Sequence, residues 1–338
     1  MQPKVSFLIA TLNAQKVLEA CLKSISEQDY PKDKIEIIIA DGGSTDRTLE
    51  IAQKYGVTIF PNPLKTGEAG KMVAFRHATG DLLAVVDSDN ELPHSLWLQN
   101  MVKPLIDHPE AVGSEPWAYT LRPSDGFITR YCALMGMNDP LVYFLGNYDR
   151  LNLLSNKWTE VSHSEQDFGS YVLATFNKAG IPTIGANGTI FRAEFLNAQV
   201  KGDYLFDIDI LAETLDKTGE VKFIKIKEGI IHSYCESDIK KFATKQGRRV
   251  KDFLYHKHMG NRSYPWNKIN YYGYLKFVLY CVTLFPLILQ SLIGYSRKKD
   301  SAWFFHILAC EITLWEYSVG VIKSIFVKSE YDRTGWRQ

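Results

Sequence analysis

The first 110 residues alternate between short apolar runs and amphipathic stretches. Four runs read as strands: KVSFLIA, KIEIIIA, VTIF and LLAVVD. Helices are predicted between them, from about residue 14 to 28, from 46 to 55, where Gly56 follows, and around 69 to 79. Such alternation predicts a parallel sheet with helices on both faces, an α/β fold.

Polar clusters follow three of these strands. Residues 11–13 (TLN) follow the first strand, residues 41–46 (DGGSTD) the second and residues 87–90 (DSDN) the fourth. Ligands of open sheets bind outside the carboxyl ends of the strands. The three clusters therefore mark one candidate binding edge.

The stretch LLAVVDSDN puts Asp87, Ser88 and Asp89 directly after an apolar strand. Two carboxylates one residue apart at the end of a buried strand need a cationic partner. The alternative is structural: Asp87 opens a turn, and Asp89 caps a helix that begins near Pro93. An isolated D-x-D pair does not decide between the two.

The second half of the chain is less uniform. Residues 115–180 are rich in aromatic residues, which either face a substrate or pack a core. A helix is predicted from near Asp207 to Gly219, followed by the strand EVKFIKIKEGIIHSY and the basic helix SDIKKFATKQGRRVKDFLYHKH.

The C-terminal region is apolar. The 22 residues from Tyr274 to Tyr295 carry one charge, Lys276, and meet the length criterion for a membrane span. Residues 302–327 are a poorer candidate because they contain His306, Glu311, Glu316 and Lys323. The basic segment 240–268 beside them indicates attraction to anionic lipid at the cytoplasmic face of a membrane. The alternative is a buried helical hairpin that completes a soluble domain.

Composition limits the kinds of partner and site that the chain can be expected to have. The 338 residues are 46% hydrophobic and 23% charged with a net charge of +1, so no charge bias indicates a nucleic-acid partner. The five cysteines form no C-x-x-C pair, and neither a zinc site nor a disulfide framework is indicated. The apolar run Val5 to Ala10 is too short for a secretory signal and is interpreted as the first strand.

In their order along the chain, these motifs resemble glycosyltransferase family 2, whose members have a GT-A fold and use nucleoside-diphosphate sugars. The resemblance covers residues 4 to about 250. It assigns donor binding to Thr11 and Asn13, and contact with the nucleotide base to Asp41. The glycine-containing helix start TGEAGKMVAFRHATGD then leads to the D-x-D strand end. In it Lys71 is expected to reach phosphate, although Met72 replaces the usual Asn.

With this resemblance, the D-x-D residues are expected to bind a metal ion. A nucleoside diphosphate and two aspartates repel each other unless a hard divalent cation, Mg²⁺ or Mn²⁺, bridges them. Asp87, Ser88 and Asp89 are expected to hold that cation and the donor. The resemblance adds His232, in IIHSY, as a further ligand of the metal or diphosphate, while a structural role is the alternative for a lone histidine.

A carboxylate is also needed on the acceptor side to remove a proton from the acceptor hydroxyl. The family has this base at the start of a helix, which matches Asp207 in FDIDI, with Asp209 as the backup. An acid in the first turn of a helix is also an ordinary partner of the helix dipole.

The stretch QGRRV matches a Q-x-x-R-W motif of several family branches, with Val250 in place of tryptophan. Gln246 and Arg249 share a helix face with two phenylalanines, and Arg249 is expected to bind the diphosphate. The alternative is a solvated basic helix that binds lipid headgroups.

Together these features predict a GT-A domain over residues 1–265, with a nucleotide-binding half (1–115) and an acceptor half (116–265). Residues 266–338 would form a helical membrane-attachment region. The expected activity is inverting, metal-dependent transfer of a sugar to a hydroxyl or lipid-linked acceptor, in cell-envelope glycan assembly, with the catalytic domain facing the cytoplasm. A polyprenyl phosphate is the alternative acceptor. A nucleotidyltransferase would need a glycine-rich loop that IATLNAQ lacks, and a degenerate scaffold would explain Met72 and Val250.

Overall fold

The computed structural model describes residues 2–177, 180–200, 202–260, 262–264 and 270–326, in two compact units. The sheet unit contains the described residues up to Trp117 and Ser162–His232. The helical unit contains Ala118–Val161 and the described residues from Ser233 onward. This division differs from the predicted one, because residues 118–161 group with the C-terminal helices. The predicted boundary at 265/266 lies outside the described residues.

The described strands form one ten-stranded sheet in the order β3-β2-β1-β4-β9-β6-β10-β8-β7, with β5 paired to β10. They are β1 (Val5–Thr11), β2 (Ile35–Asp41), β3 (Thr58–Pro61), β4 (Leu82–Val85), β5 (Asn90–Glu91), β6 (Gly113–Tyr119), β7 (His163–Asp167), β8 (Tyr171–Asn177), β9 (Thr189–Arg192) and β10 (Glu220–His232). The predicted parallel sheet is present from β3 to β4, whereas β9, β8 and β7 join by antiparallel pairing.

The described helices are α1 (Leu18–Ser26), α2 (Thr48–Lys54), α3 (Gly67–His77), α4 (Trp97–Asp107), α5 (Phe127–Met135), α6 (Pro140–Leu145), α7 (Ala193–Gln199), α8 (Asp207–Thr218), α9 (Ile239–His258), α10 (Tyr271–Thr283), α11 (Phe285–Arg297) and α12 (Phe305–Phe326). Short 3₁₀ turns lie at Lys32–Lys34 and Ser301–Phe304. The helices predicted near Asp207 and over the basic segment are present as α8 and α9.

Helix α3 packs very closely on β1. A Cβ atom added to Gly70 would lie 2.6 Å from the Cβ of Ala10, so this helix face has room only for glycine. Thr66 caps the helix by accepting a hydrogen bond from the backbone N–H of Ala69. The close approach buries the next residue, Lys71, beside the ends of the strands.

A fully buried ion pair joins β6 and β10. The Lys225 ammonium contacts the Glu115 carboxylate, and neither side chain has any exposed surface. The hydroxyl of Thr189 at the start of β9 also donates to Glu115, at 3.2 Å. Because a buried charge is costly unless it is paired, these contacts tie three strands to one arrangement.

The predicted span from Tyr274 to Tyr295 is not one straight helix. It is divided into α10 and α11, which meet at an angle of 97° next to Leu284. Pro286 has no N–H to continue the hydrogen-bond ladder of α10, which explains the break. Among the described residues, Ser301–Ser324 is the one unbroken helical stretch long and apolar enough to cross a membrane, by length and composition, with a mean hydropathy of 1.2. The bent pair α10 and α11 would be long and apolar enough only as one broken span.

Candidate active site

The ends of β1 and β2 are joined by a hydrogen-bond network around Asp41. Thr11 lies opposite Asp41 in the parallel register, and its hydroxyl donates to Asp41 Oδ1 at 3.0 Å. Asp41 Oδ2 accepts from the backbone N–H groups of Gly43 and Ser44 at 2.9 and 2.8 Å. The carboxylate therefore holds the 41–46 loop in place, whether or not it also contacts a base.

Asn13 ties the same loop from the other strand. Its φ of 53° is a left-handed conformation that asparagine tolerates better than most residues. Its Oδ1 accepts from the N–H of Thr45 at 2.8 Å, and its N–H donates to Ser44 Oγ at 2.8 Å. The predicted donor-binding residues Thr11, Asn13 and Asp41 thus lie together.

The segment after β4 is a tight turn. The N–H of Asn90 donates to the carbonyl of Asp87 at 3.0 Å, and the N–H of Asp87 donates to Asn90 Oδ1 at 2.9 Å. Helix α4 begins only at Trp97, after Leu96, without a side-chain cap. The structural alternative is therefore right about the turn and wrong about Asp89 as the helix cap.

Asp89 lies beside His232. The short strand β5 pairs with the end of β10, with Asn90 opposite His232. This pairing puts His232 Nε2 3.4 Å from Asp89 Oδ1. Ser88, between the two aspartates, is buried. The predicted metal residues Asp89 and His232 are therefore neighbours.

Asp87 has a cationic partner within the chain. The ammonium of Lys71, whose side chain is 8% exposed, lies 3.5 Å from Asp87 Oδ1. Burial alone would lower the pKa of Lys71, but the charges of Asp87, Asp207 and Glu68 raise it above its ordinary value. Lys71 is therefore a permanent buried cation at the predicted donor site.

Asp207 is the first residue of α8 and is buried. Its Oδ1 has no hydrogen-bond partner among the residues that the structure describes. Burial raises the pKa of Asp207 to about 6, the charge of Lys71 opposes the rise, and the charges of Asp87 and Glu68 add to it. A carboxylate with an unpartnered oxygen and a pKa raised toward neutrality is suited to general base catalysis. Asp209 is also buried.

Sequence reasoning gave no individual role to Glu68, Asn90 or Asn187. Glu68 adds negative charge near Lys71 and Asp207. Asn90 Nδ2 donates to Asn187 Oδ1 at 2.9 Å, which ties the turn after β4 to the loop before β9. An available signal was the Asn-Gly pair at 187, typical of a tight turn, whose asparagine has a φ of 71°.

Gln246 and Arg249 lie on α9 in the helical unit. Gln246 Nε2 donates to the carbonyl of Asn138 at 2.7 Å, and an Arg249 guanidinium N–H donates to Gln246 Oε1 at 2.5 Å. Arg249 also lies 3.8 Å from Asp139 Oδ2. Both side chains are thus held by partners within their own unit, and their role in diphosphate binding stays a prediction.

The donor set fits a hard divalent cation that also binds a ligand. Within the described ranges, no three or more His, Cys, Asp or Glu residues form a ready-made metal cluster. Asp87, Asp89 and His232 offer carboxylate oxygen and imidazole nitrogen, and phosphate and water would fill the remaining positions of Mg²⁺ or Mn²⁺.

Comparison with known proteins shows what the first part of the chain is similar to. Residues 6–135 match the family described as glycosyl transferase family 2. Poly(ribitol-phosphate) beta-N-acetylglucosaminyltransferase TarS of Staphylococcus aureus is 34% identical over 93 residues, 26% of this chain and 16% of that protein. Glycosyltransferase AglE of Haloferax volcanii is 30% identical over 106 residues, 30% of this chain and 34% of that protein.

A third relative and one solved structure add to this. GalNAc(5)-diNAcBac-PP-undecaprenol beta-1,3-glucosyltransferase of Campylobacter jejuni is 36% identical over 97 residues, 27% of this chain and 31% of that protein. The chain thus matches a third or less of the length of most such relatives. The mannosyltransferase PcManGT from Pyrobaculum calidifontis, solved with GDP-Man and Mn²⁺, aligns over 97% of this chain and 89% of its own with a TM-score of 0.54 at 17% identity. That likeness shows the GT-A fold.

Proposed function

We propose that this chain, whose residues 6–135 match glycosyl transferase family 2 and whose fold is GT-A, is a metal-dependent, inverting sugar transferase that uses a nucleoside-diphosphate sugar. The observation that carries the proposal is the charge cluster of Asp87 after β4, Lys71 of α3 and Asp207 at the start of α8. It would combine a buried cation, a carboxylate for metal and a carboxylate with an unpartnered oxygen in one site.

The donor is proposed to bind along the ends of β1, β2 and β4. Asp41 and the loop it organises would receive the nucleoside, and Lys71 would bind a diphosphate oxygen. Asp87 and Asp89, with His232, would hold Mg²⁺ or Mn²⁺, which neutralises charge on the leaving diphosphate when bound. Arg249 and Gln246 are proposed to contact the same diphosphate.

Asp207 is proposed to be the general base. The acceptor hydroxyl transfers its proton to Asp207 as its oxygen bonds to the anomeric carbon, and the bond from that carbon to the diphosphate oxygen breaks. A displacement in one step inverts the anomeric centre. Burial favours this role, because a base with a pKa near 6 is ionised at neutral pH and still accepts a proton readily.

The acceptor is proposed to be a lipid-linked glycan precursor, used at the cytoplasmic face of a membrane. Two observations support a lipid-linked acceptor: the C-terminal helices α10 to α12 are apolar, and the relative from Campylobacter jejuni is named for a polyprenol-linked substrate. A polyprenyl phosphate is the second candidate acceptor. Its ionised phosphate oxygen needs no base, so Asp207→Asn would leave transfer to that acceptor nearly unchanged.

Nucleotide binding tests the proposal. Binding of UDP, GDP and TDP is measured by calorimetry with Mn²⁺ or with chelator. One diphosphate is expected to bind wild type in a metal-dependent way, and Asp87→Ala with Asp89→Ala is expected to lose that dependence. The matched control replaces two exposed aspartates, Asp33→Ala with Asp216→Ala, and is expected to bind like wild type. If the folded wild type binds none of the three, the donor site is not functional as proposed.

A further inference from the structure

Helices α10 and α11 are apolar on both faces. On the inner face, Phe277 and Cys281 of α10 and Leu287 of α11 are buried. On the outer face, α10 exposes Tyr272, Leu275, Leu279 and Val282, and α11 exposes Phe285, Ile288, Leu289 and Leu292. These spacings put each set on one side of its helix. A helix whose outer side faces water would carry polar residues there.

Neither helix is long enough by itself to cross a bilayer, and a sharp bend separates the two. Each has 13 residues, about 20 Å of helix, against a hydrocarbon core of about 30 Å. Their angle of 97° puts an exposed corner at Val282 and Phe285, which are 73% and 70% exposed. The corner can therefore enter the outer part of a bilayer while the helices lie along its surface.

Helix α12, which has the length of a span, is packed along α9. A Cβ atom added to Gly320 would lie 2.6 Å from Val250 Cγ1, and one added to Gly247 would lie 2.6 Å from Glu316 Oε2. The rings of Phe242 and Phe305 are 5.3 Å apart. Contact thus extends over 16 residues of α12, from 305 to 320, about 22 Å. Insertion of α12 as a span would bring the charged side chains of α9 into hydrocarbon, which is expensive.

Charge identifies the partner of the exposed face. Residues 271–299 contain four cations, Lys276, Arg297, Lys298 and Lys299, and no Asp or Glu. Two copies that met through this face would bury apolar side chains but bring like charges together, so a second copy fits the face less well than a partner that is both apolar and anionic. Anionic lipid headgroups complement the cations, and acyl chains complement the apolar side chains.

From these observations we infer that α10 and α11 form an in-plane membrane-docking surface for anionic lipid, and that α12 lies on the same side of the bilayer rather than crossing it. This inference deepens the proposed membrane association and rests on it. It identifies the partner as the surface of one leaflet and makes the protein monotopic.

Labelling at the two ends of the candidate span tests the topology. Ser301 and Ser324 are both exposed, and the five native cysteines are buried, so Ser301→Cys and Ser324→Cys can be labelled separately. The full chain is diluted from detergent onto preformed vesicles containing about one third phosphatidylglycerol in phosphatidylcholine. A membrane-impermeant maleimide is expected to label both cysteines on intact vesicles. Protection of either cysteine until the vesicles are lysed would show a span and overturn the inference.

Vesicle flotation tests the surface. Val282→Asp with Phe285→Asp is expected to lower association with these vesicles by at least about tenfold, with unchanged thermal unfolding, because apolar side chains at the corner are replaced by anions. The matched control, Leu96→Asp with Ile106→Asp, changes two exposed apolar residues of the sheet unit and is expected to float like wild type.

Equal flotation of the corner variant and wild type, or no flotation of wild type, would overturn the inference. Calorimetric binding of nucleoside diphosphates to the same preparations separates the two proposals. Vesicle association without nucleotide binding contradicts the proposed donor site alone. Nucleotide binding without vesicle association contradicts the docking surface alone.

Discussion

At the scale of single residues, the proposed chemistry depends most on the burial of Asp207. Replacement by Asn keeps the shape of the side chain and removes the proton acceptor. Asp207→Asn is expected to lower kcat for a hydroxyl acceptor by about 10²–10⁴-fold while donor affinity stays within about twofold. Initial rates and calorimetry check this. Asp209→Asn is the matched control. A larger loss of kcat in Asp209→Asn than in Asp207→Asn would identify Asp209 as the general base.

The pH dependence of the wild type follows from the same carboxyl group. Because the pKa of Asp207 is about 6 and the base must be ionised, kcat/KM is expected to rise tenfold per pH unit below about 6 and to level off above it. A rate profile from pH 4.5 to 8.5 measures it. A profile that is flat below pH 6 would exclude Asp207 as the titrating base.

The stability of the folded protein is expected to fall as pH rises, whereas the rate rises with pH. A folded-state pKa raised above the ordinary 3.8 stabilises the protein below pH 4, and this contribution is lost as pH rises through about 6. The free energy of unfolding of Asp207→Asn minus that of wild type is therefore expected to be about 1–3 kcal/mol larger at pH 8 than at pH 4. Urea unfolding at the two pH values measures this, and an unchanged difference would contradict it.

At the scale of elements, the contact of α3 with β1 controls where Lys71 lies. Gly70→Ala is expected to destabilise the protein by about 1–3 kcal/mol, because the added methyl group meets the Cβ of Ala10. Gly67→Ala, in the same helix, meets nothing within 4 Å and should be neutral or stabilising. Urea unfolding of both variants is the measurement. Equal stability of the two would mean that the helix shifts freely on the strand.

The sequence predicted the elements with strong periodicity and missed those without it. The parallel strands and the helices α8 and α9 were predicted from the spacing of apolar residues and from residues typical of helix ends. The first helix begins at Leu18 rather than near Ala14, since the residues before it form a turn. The hairpin of β7 and β8 was missed because β7, HSEQD, is a largely exposed edge strand with no apolar alternation. The break between α10 and α11 in the predicted span was missed, because a count of apolar residues ignores Pro286.

The candidate site was predictable only where residues are close in the sequence or share a strand end. Position at a strand end was enough to predict Thr11, Asp41, Asp87 and Asp89. The bond between Asn90 and Asn187 joins residues 97 positions apart, and no local pattern encodes it. The contact of Lys71 with Asp87 likewise depends on how α3 packs, which residue spacing does not specify.

At the scale of the whole molecule, an apolar surface coexists with little net charge. The net charge of +1 gives weak repulsion between copies, and the outer faces of α10 and α11 are exposed. Without detergent or lipid, wild type is expected to self-associate, and Val282→Asp with Phe285→Asp to remain largely monomeric. Sedimentation velocity with and without detergent checks this. A monodisperse wild type in plain buffer would contradict it.

Lys71 also has a consequence for the order in which ligands arrive. Its ammonium already balances Asp87, so the resting site carries its own internal counter-ion. A free divalent cation would compete with that ammonium and gain little. A cation that arrives bound to a sugar nucleotide brings phosphate oxygens with it. The Lys71 ammonium can then pair with phosphate while the cation pairs with Asp87, so that both side chains keep a partner of opposite charge. On the proposed roles, metal and donor should therefore enter as one complex, and metal affinity should be weak until the nucleotide is present.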